Sequence, residues 1–388
     1  MPALRLSVSA STVAGTITAW CAVAGSTVLY AIMPGGLTAF SIAATLAVAL
    51  GYTGSWRDAG RWLTANLTLT LTVSLLMAHA ALTFAADPST VRASSAVALV
   101  TLLAMTAIAR PTRSAMLTAF VVLVTLTSIG GVIVWPLVQF GLVGHADWPV
   151  PAWLLAEEGA ARTGWFSMPF GLSTAITGAT FAPFRDLRWI QVGGMSFEPA
   201  NAALLAVLAF IAAPLTLLPR RAVLAVRVVL AAFVVMTGSV TGWLALPVVI
   251  VVLADRHHPL RRMAWCAAGL GISLAVMVIA QQGNDLIADI PFKMAYRSRA
   301  ELWPWTDPSL LTVLIVIAQL ALAAAVAWAG TKMLRACQTE AGLLLVLIAA
   351  ASLRSHDALW LLPAVPFVLV ALLAANARAS KVTQCAVR

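Results

Sequence analysis

Three groups of polar residues stand between the apolar blocks of this chain, and their side chains could do chemistry. In the first group, Arg185 and Arg188 precede the pair Gly193-Gly194, and Glu198 follows. Pro199 suits the first turn of a helix, because its missing N–H would be unpaired there anyway. Glu198 would then lie at a helix start, where a carboxylate facing a polar cavity can accept a proton from an attacking hydroxyl. The alternative is a carboxylate that only stabilises the start of that helix.

The second group contains Tyr296, Arg297 and Arg299, followed by Trp303 and Trp305. Arginine is the preferred partner of phosphate, because its planar guanidinium donates two parallel hydrogen bonds and keeps its charge. A solvated loop with Arg–Glu pairs is the alternative. The two tryptophans are typical of an aromatic belt at a membrane boundary. Stacking on a sugar, together with Tyr296, is the other role open to them.

The third group, Arg354, His356 and Asp357, stands between two short apolar blocks. Charged side chains are costly when they face lipid, so this triplet is expected to face a cavity. A surface turn is the alternative. Arg354 is a candidate for binding an anionic substrate group. His356 is a second candidate base beside Glu198.

The composition of the chain determines where these groups can lie. Hydrophobic residues make up 61% of the 388 residues and charged residues only 10%, while the formal net charge is +10. A mean hydropathy of +0.95 excludes a soluble globular domain and predicts a polytopic membrane protein. The positive charge therefore indicates contact with anionic lipid headgroups and not with nucleic acid.

The apolar blocks predict an all-α membrane domain of about twelve transmembrane helices that covers residues 1–388. Basic clusters recur at every second crossing, so the positive-inside rule places both termini in the cytoplasm. The first block is expected to be a retained helix. Two large loops, about 136–196 and 281–309, would then be periplasmic. The clear spans are expected at 11–32, 36–52, 63–86, 93–109, 114–135, 200–218, 263–280, 310–329 and 358–375.

Two further regions predict short helices. The apolar run 228–254 has basic clusters at both ends, and a break at 237–242 keeps both clusters on one side. Two glycines among small polar residues can form such a turn. The block 341–353 is too short for an ordinary span, yet the alternation of basic clusters requires it to cross. Short helices of this kind are tolerated only where they line a hydrated cavity inside protein.

This layout resembles the bacterial O-antigen polymerase and ligase superfamily. The resemblance rests on Phe197-Glu198-Pro199 with Asn201 at a helix start, on the turn at 237–242, and on the basic second loop. Phe197-Glu198-Pro199 resembles the polymerase branch, especially exopolysaccharide polymerases. The turn departs from the family pattern, because Val240 stands where the family usually has an arginine.

The resemblance implies an integral inner-membrane glycosyltransferase that acts at the periplasmic face on glycans linked to undecaprenyl diphosphate. It implies no cofactor and no metal, and as partners a chain-length regulator and a flippase. The arginines matching the family's diphosphate-binding positions are Arg185 or Arg188, Arg297 or Arg299, and Arg354. The leading expectation is a polymerase of lipid-linked repeat units. An O-antigen-type ligase and a transporter of lipid-linked oligosaccharides are the alternatives.

Overall fold

The computed structural model describes residues 16–17, 19, 67–86, 110–142, 163–166, 174–184, 187–194, 199–254, 261, 264–265, 267–268, 310–336, 338–354 and 364–379. Within these residues the chain is mostly helical, as the sequence predicts. The predicted spans 11–32, 36–52, 93–109 and 263–280 lie outside the described residues wholly or nearly so. The number of twelve helices therefore stays a prediction.

Eight α-helices, a short 3-10 helix (Ala213–Leu215) and three strands follow one another along the described chain. The helices are α1 (Leu67–Ala86), α2 (Arg110–Gln139), α3 (Pro199–Ala212), α4 (Arg220–Met236), α5 (Val240–Ala254), α6 (Leu310–Arg335), α7 (Thr339–Arg354) and α8 (Ala364–Ala379). The strands β1 (Thr163–Phe166), β2 (Thr174–Phe184) and β3 (Leu187–Gly194) lie between α2 and α3.

Two of the described helices are long and apolar enough to cross a membrane, namely Ala115–Gln139 within α2 and Val313–Arg335 within α6. Within the described residues five others are shorter: α3, α4, α5, α7 and α8 have 14, 17, 15, 16 and 16 residues. At 1.5 Å per residue they measure roughly 21–26 Å, less than the hydrocarbon core of about 30 Å. The short helices predicted at 228–254 and 341–353 are present, but α4 begins at Arg220, so the basic residues 220–227 lie within that helix and not before it.

The second helix extends past the predicted loop boundary at residue 136. Pro136 lies inside α2, which ends at Gln139. Gly141 then adopts a left-handed φ of 66°. Its N–H donates to the Val138 carbonyl at 3.1 Å, and the N–H of Leu142 donates to the Leu137 carbonyl at 2.8 Å. These two bonds form a Schellman cap, so a glycine and not the proline terminates the helix.

A three-stranded antiparallel sheet occupies part of the predicted loop 136–196, where no strand is predicted from the sequence. Its order is β1-β2-β3, with Trp165 opposite Ala175 and Phe181 opposite Trp189. The strands contain Thr, Ile, Phe and Trp at high density, which are residues that favour a pleated surface. The all-α prediction therefore holds for the helical bundle and is wrong for this loop.

Helix α3 forms the centre of the described bundle. It contacts α2, α4, α5, α7 and β3. Every residue from Ala202 to Ala212 is buried, so the helix has no exposed face over that length. A helix that is hydrophobic all round belongs inside other protein. The element that follows Glu198 in the sequence is thus surrounded by neighbouring helices.

Helices α2 and α4 run in the same direction beside α3. Near the start of α4, the Leu217 N–H donates to the Thr118 hydroxyl of α2 at 2.9 Å. At the other end, Phe233 of α4 and Thr127 of α2 both lie against Gly194. The exposed residues Arg220 and Arg221 therefore lie at the end of this bundle opposite to the sheet.

The outward faces of the helices are apolar. Ile317 is 55% exposed and Leu224 is 66% exposed. Helix α6 carries a continuous stripe of such residues, formed by Leu310, Val313, Leu314, Ile317, Leu320 and Trp328. Adjacent exposed apolar side chains of this kind mark surfaces that contact lipid or other protein.

Candidate functional site

The free edge of strand β3 is fastened to helix α2. The indole N–H of Trp135 donates to the carbonyl of Ile190 at 2.9 Å, and the N–H of Ile190 donates to Oε1 of Gln139 at 2.9 Å. An edge strand normally leaves such backbone groups open to pairing with another chain. Two side chains of α2 satisfy them here, so the sheet is attached to the last turns of that helix, at Trp135 and Gln139.

The end of β3 is wedged between two helices at Gly194. This residue has a φ of 58°, in the left-handed region that favours glycine. A Cβ atom there would lie 2.9 Å from Cζ of Phe233 and 3.2 Å from the carbonyl oxygen of Thr127. The glycine pair singled out in the sequence is therefore a point where backbone packs directly on α2 and α4.

The break between α4 and α5 lies within the predicted turn 237–242 but is shorter, because α5 already begins at Val240. Thr237 caps the end of α4, and Gly238 has a φ of 58°. The hydroxyl of Thr237 donates to the carbonyl of Val234 at 2.7 Å and accepts the N–H of Ser239 at 3.2 Å. One buried hydroxyl thus joins a terminal carbonyl of one helix to the residue that leads into the next. Thr237, Gly238 and Ser239 are all buried, as a turn packed inside protein should be.

Strand β3 also reaches this turn. Nε2 of Gln191 donates to the carbonyl oxygen of Gly238 at 2.9 Å. Across the turn, the indole N–H of Trp243 donates to the Val235 carbonyl at 3.0 Å. Gln191 thereby links the sheet to this turn.

The start of α5 lies against the start of α3. A Cβ atom on Gly242 would lie 2.8 Å from Cβ of Ala203 and 2.8 Å from Cγ1 of Val234. Three segments therefore meet at one end of the bundle: residues 190–194, residues 199–203, and the more distant residues 237–242. We call these three segments the junction.

The junction contains hydroxyls, amides and backbone groups, but its described side chains include no carboxylate, imidazole or guanidinium. The described junction residues therefore supply hydrogen-bond donors and acceptors and close backbone packing. The sequence next to it supplies charge, because Glu198 immediately precedes α3 and Arg188 belongs to β3.

Most of the side chains predicted to act lie outside the described residues. These are Arg185, Glu198, Tyr296, Arg297, Arg299, Trp303, Trp305 and His356. Arg188 lies in β3 and Arg354 is the last residue of α7, but only their backbones are described. Binding of the diphosphate by these arginines stays a prediction.

Several residues that fasten the site were not singled out from the sequence. Gln139 and Gln191 belong to this set, and so does Gln319, whose Nε2 donates to the carbonyl of Ser352 at 2.6 Å. The available signal was an amide side chain within or beside an apolar segment, since buried polar groups need partners.

At the far end of α3 the cationic residue Arg227 has a structural role. Its Nε donates to the carbonyl of Phe210 at 3.1 Å, and its guanidinium lies 5.0 Å from the centre of the Phe210 ring. Phe210 is in the last turn of α3, where the partial negative charge of the helix end favours a cation. Arg227 therefore stabilises the packing of α4 on α3.

Among the described residues no group of three His, Cys, Asp or Glu side chains is placed to hold a metal ion. Comparison of the chain with protein-family models, with curated proteins and with solved structures gives no match.

Proposed function

We propose that the chain is an integral membrane glycosyltransferase that polymerises oligosaccharide repeat units linked to undecaprenyl diphosphate. The observation that carries this proposal is the junction. The start of α3, which follows Phe197-Glu198, and the segment 237–242 carry the resemblance to O-antigen polymerases. They lie side by side at Ala203 and Gly242, which are 39 residues apart in sequence (242 − 203).

The exposed surface supports a place in the membrane. Leucine, valine and isoleucine side chains cover the outward faces of α4 and α6. In water such faces would be an aggregation hazard, whereas lipid tails solvate them. The short helices α3, α4, α5 and α7 fit a protein whose interior holds a polar cavity at membrane depth.

The distribution of charge supports an orientation. Arg220 and Arg221 lie at the end of the bundle opposite to the junction, and Lys332 and Arg335 occupy the last turn of α6. Basic residues accumulate on the cytoplasmic side of membrane proteins. In the proposed orientation the junction faces the periplasm, and the membrane is the bacterial inner membrane.

The proposed reaction forms one bond and breaks one. A hydroxyl of the acceptor glycan attacks the anomeric carbon of the donor, and the bond between that carbon and the diphosphate oxygen breaks. The electron pair leaves with undecaprenyl diphosphate, while the hydroxyl proton goes to a base, either Glu198 or His356. Preorganised arginines stabilise the charge that develops on the departing diphosphate. Because the diphosphate is already a good leaving group, the scheme needs no metal.

The arginines proposed for this task are Arg297, Arg299 and Arg354, with Arg185 and Arg188 from the first loop. Replacing each of the first three by lysine keeps the charge and removes the two-pronged hydrogen bonding. We expect these variants to need higher donor concentrations. Normal polymerisation by all three lysine variants would remove them from diphosphate recognition.

The decisive experiment uses a deletion strain and the purified protein. In the strain, single lipid-linked repeats should accumulate on the periplasmic leaflet, and in lipid nanodiscs the protein should convert them into a ladder of longer glycans. Repeats retained on the cytoplasmic leaflet would instead make the protein a flippase. Long glycans that accumulate without transfer to their final acceptor would make it a ligase.

A further inference from the structure

The last turns of helix α6 carry a tryptophan and two cations on one face. Nζ of Lys332 lies 3.4 Å from the centre of the Trp328 ring. Trp328, Lys332 and Arg335 are all exposed, and a helix of 3.6 residues per turn places them within about 60° of one another around its axis. The hydroxyl of Thr331 is used locally, since it donates to the Trp328 carbonyl at 2.9 Å. The face therefore offers an ammonium group stacked on an indole, with a guanidinium about one turn further along.

The two cations also have an ordinary structural role. Lys332 and Arg335 stand in the last turn of α6, where a positive side chain stabilises the partial negative charge of the helix end. That partial charge disfavours a bound anion, so an attraction for anions at this face must come from the two side chains. Stabilising a helix end does not require a stacked ring, whereas a ring that holds the ammonium in place prepares it to bind a ligand.

An exposed apolar stripe leads along α6 to the two cations. It includes Ile317, Leu320 and Trp328, and the opposite face of the helix packs on α1 and α7. Ile317 and Trp328 are 11 residues apart, about 16 Å along the axis, and one leaflet contributes about 15 Å of hydrocarbon. Lys332 lies four residues beyond Trp328, about 6 Å further, and the polar layer of a bilayer is about 5–8 Å thick. With Trp328 at the hydrocarbon boundary, Lys332 therefore lies at headgroup depth and Arg335 at its outer edge.

We propose that this face of α6 is a binding site for an anionic phospholipid. Lys332 and Arg335 bind the phosphate of its headgroup, and one acyl chain lies along the stripe that ends at Trp328. Charge complementarity selects the lipid, because a zwitterionic headgroup carries a cation of its own that two basic side chains repel. In the proposed orientation the lipid belongs to the cytoplasmic leaflet, where anionic lipids attract basic side chains. The site does not depend on the proposed reaction.

The chain contains a matched control for this site. Arg220 and Arg221 are exposed at the start of α4 and carry the same charge as Lys332 and Arg335, but α4 contains no tryptophan. Attraction to a charged surface in general depends on both pairs alike, whereas a site built from a cation, a ring and an apolar stripe depends on one pair only.

The test follows lipid binding to the full-length protein in detergent by native mass spectrometry. The probes are phosphatidylglycerol and phosphatidylcholine with identical acyl chains, and glycerol phosphate as a headgroup without chains. Two paired variants each remove two charges, Lys332→Gln with Arg335→Gln and Arg220→Gln with Arg221→Gln. Trp328→Leu keeps an apolar side chain and removes the ring. The single changes Lys332→Gln and Arg335→Gln replace the first pair if it does not fold.

We expect the wild-type protein to bind phosphatidylglycerol roughly tenfold more tightly than phosphatidylcholine, the order expected for two cations near an anionic lipid. Lys332→Gln with Arg335→Gln should abolish this preference, and Trp328→Leu should reduce it about threefold. Arg220→Gln with Arg221→Gln should retain it, and glycerol phosphate should bind far more weakly than the lipid.

Four results would overturn the inference. Equal losses in the two paired variants would mean general attraction to charge. A lower Tm with an unchanged lipid preference in the Lys332 and Arg335 variants would leave these residues only their role at the helix end. Tight binding of glycerol phosphate would make the site one for a free anion. A dimer in the same spectra that Ile317→Ser dissociates would assign the stripe to a second copy of the chain.

Discussion

The side-chain amide of Gln191 donates to the backbone carbonyl of Gly238 at 2.9 Å, across 47 residues of sequence. The bond joins the last strand of the sheet to the turn between two short helices. Gly238 is buried, so water does not readily replace the amide there. The sheet is therefore attached to the end of the bundle that contains the junction. Replacing Gln191 should change the structure of the turn at Gly238.

Replacing Gln191 with leucine should lower both stability and activity. The buried Gly238 carbonyl would lose its partner, which costs about 1–3 kcal/mol, and the turn would lose its contact with β3. We expect a lower Tm in detergent and a polymerisation rate reduced at saturating donor. The control is Thr216→Val, which removes a local hydrogen bond to Ala213 near the opposite end of the bundle. If that control reduces turnover per folded molecule as much as Gln191→Leu, the junction has no special link to activity.

Gly242→Ala should destabilise the protein although alanine is the better helix former. In an open helix the change is worth up to about 1 kcal/mol of stabilisation. Here the new methyl would lie 2.8 Å from Cβ of Ala203, an atom fixed by its backbone, so overpacking should cost about 1–3 kcal/mol. The measurement is the thermal unfolding midpoint of purified protein.

Gly141→Ala provides the comparison for Gly242. Nothing lies within 4 Å of a Cβ there, but the φ of 66° is left-handed. Its effect should therefore come only from backbone strain, about 1 kcal/mol, and should leave activity per folded molecule unchanged. A Gly242→Ala variant more stable than wild type would mean that α3 and α5 can move apart without loss of stability, and would contradict the prediction.

Helix positions could be predicted from the sequence, because the length of an apolar block indicates a helix and the charged residues at its ends indicate where it stops. The break at 237–242 was predicted because basic clusters flank both ends of one apolar run. The start of α3 at Pro199 was predicted from proline alone. These features are local, so each can be read from a short window.

The strands and the glutamine contacts could not be predicted in the same way. β2 pairs with β3 through a register with bulges, and two backbone groups of β3 are satisfied by side chains from α2. Such contacts depend on which helices become neighbours, which a window of sequence does not contain. The extension of α2 through Pro136 was missed because proline usually ends a helix, whereas here the Schellman cap at Gly141 does so.

The orientation of the turn can be tested by cysteine labelling. After replacement of the four native cysteines, Thr241→Cys should react with a membrane-impermeant maleimide from the periplasm. Arg261→Cys should react only after permeabilisation, because Arg261 belongs to a basic cluster. Phe140→Cys and Arg220→Cys are the controls for the two faces, since both positions are exposed and lie at opposite ends of the bundle. Labelling of Thr241→Cys and Arg261→Cys from the same side would rule out the pair of short helices as crossing segments.

The base can be assigned by comparing Glu198→Gln with His356→Ala. Glu198 directly precedes the helix at the centre of the bundle and follows Gly194, where backbone packs closely on α2 and α4. Glutamine keeps the size and hydrogen bonding of this carboxylate but cannot take the proton, so the donor should still bind while turnover falls by about 10²–10⁴-fold. Binding of undecaprenyl diphosphate and the rate of chain extension, measured on the same purified sample, separate the two effects. Undiminished turnover in Glu198→Gln together with loss in His356→Ala would transfer the role to the histidine and leave Glu198 as a residue that stabilises the start of α3.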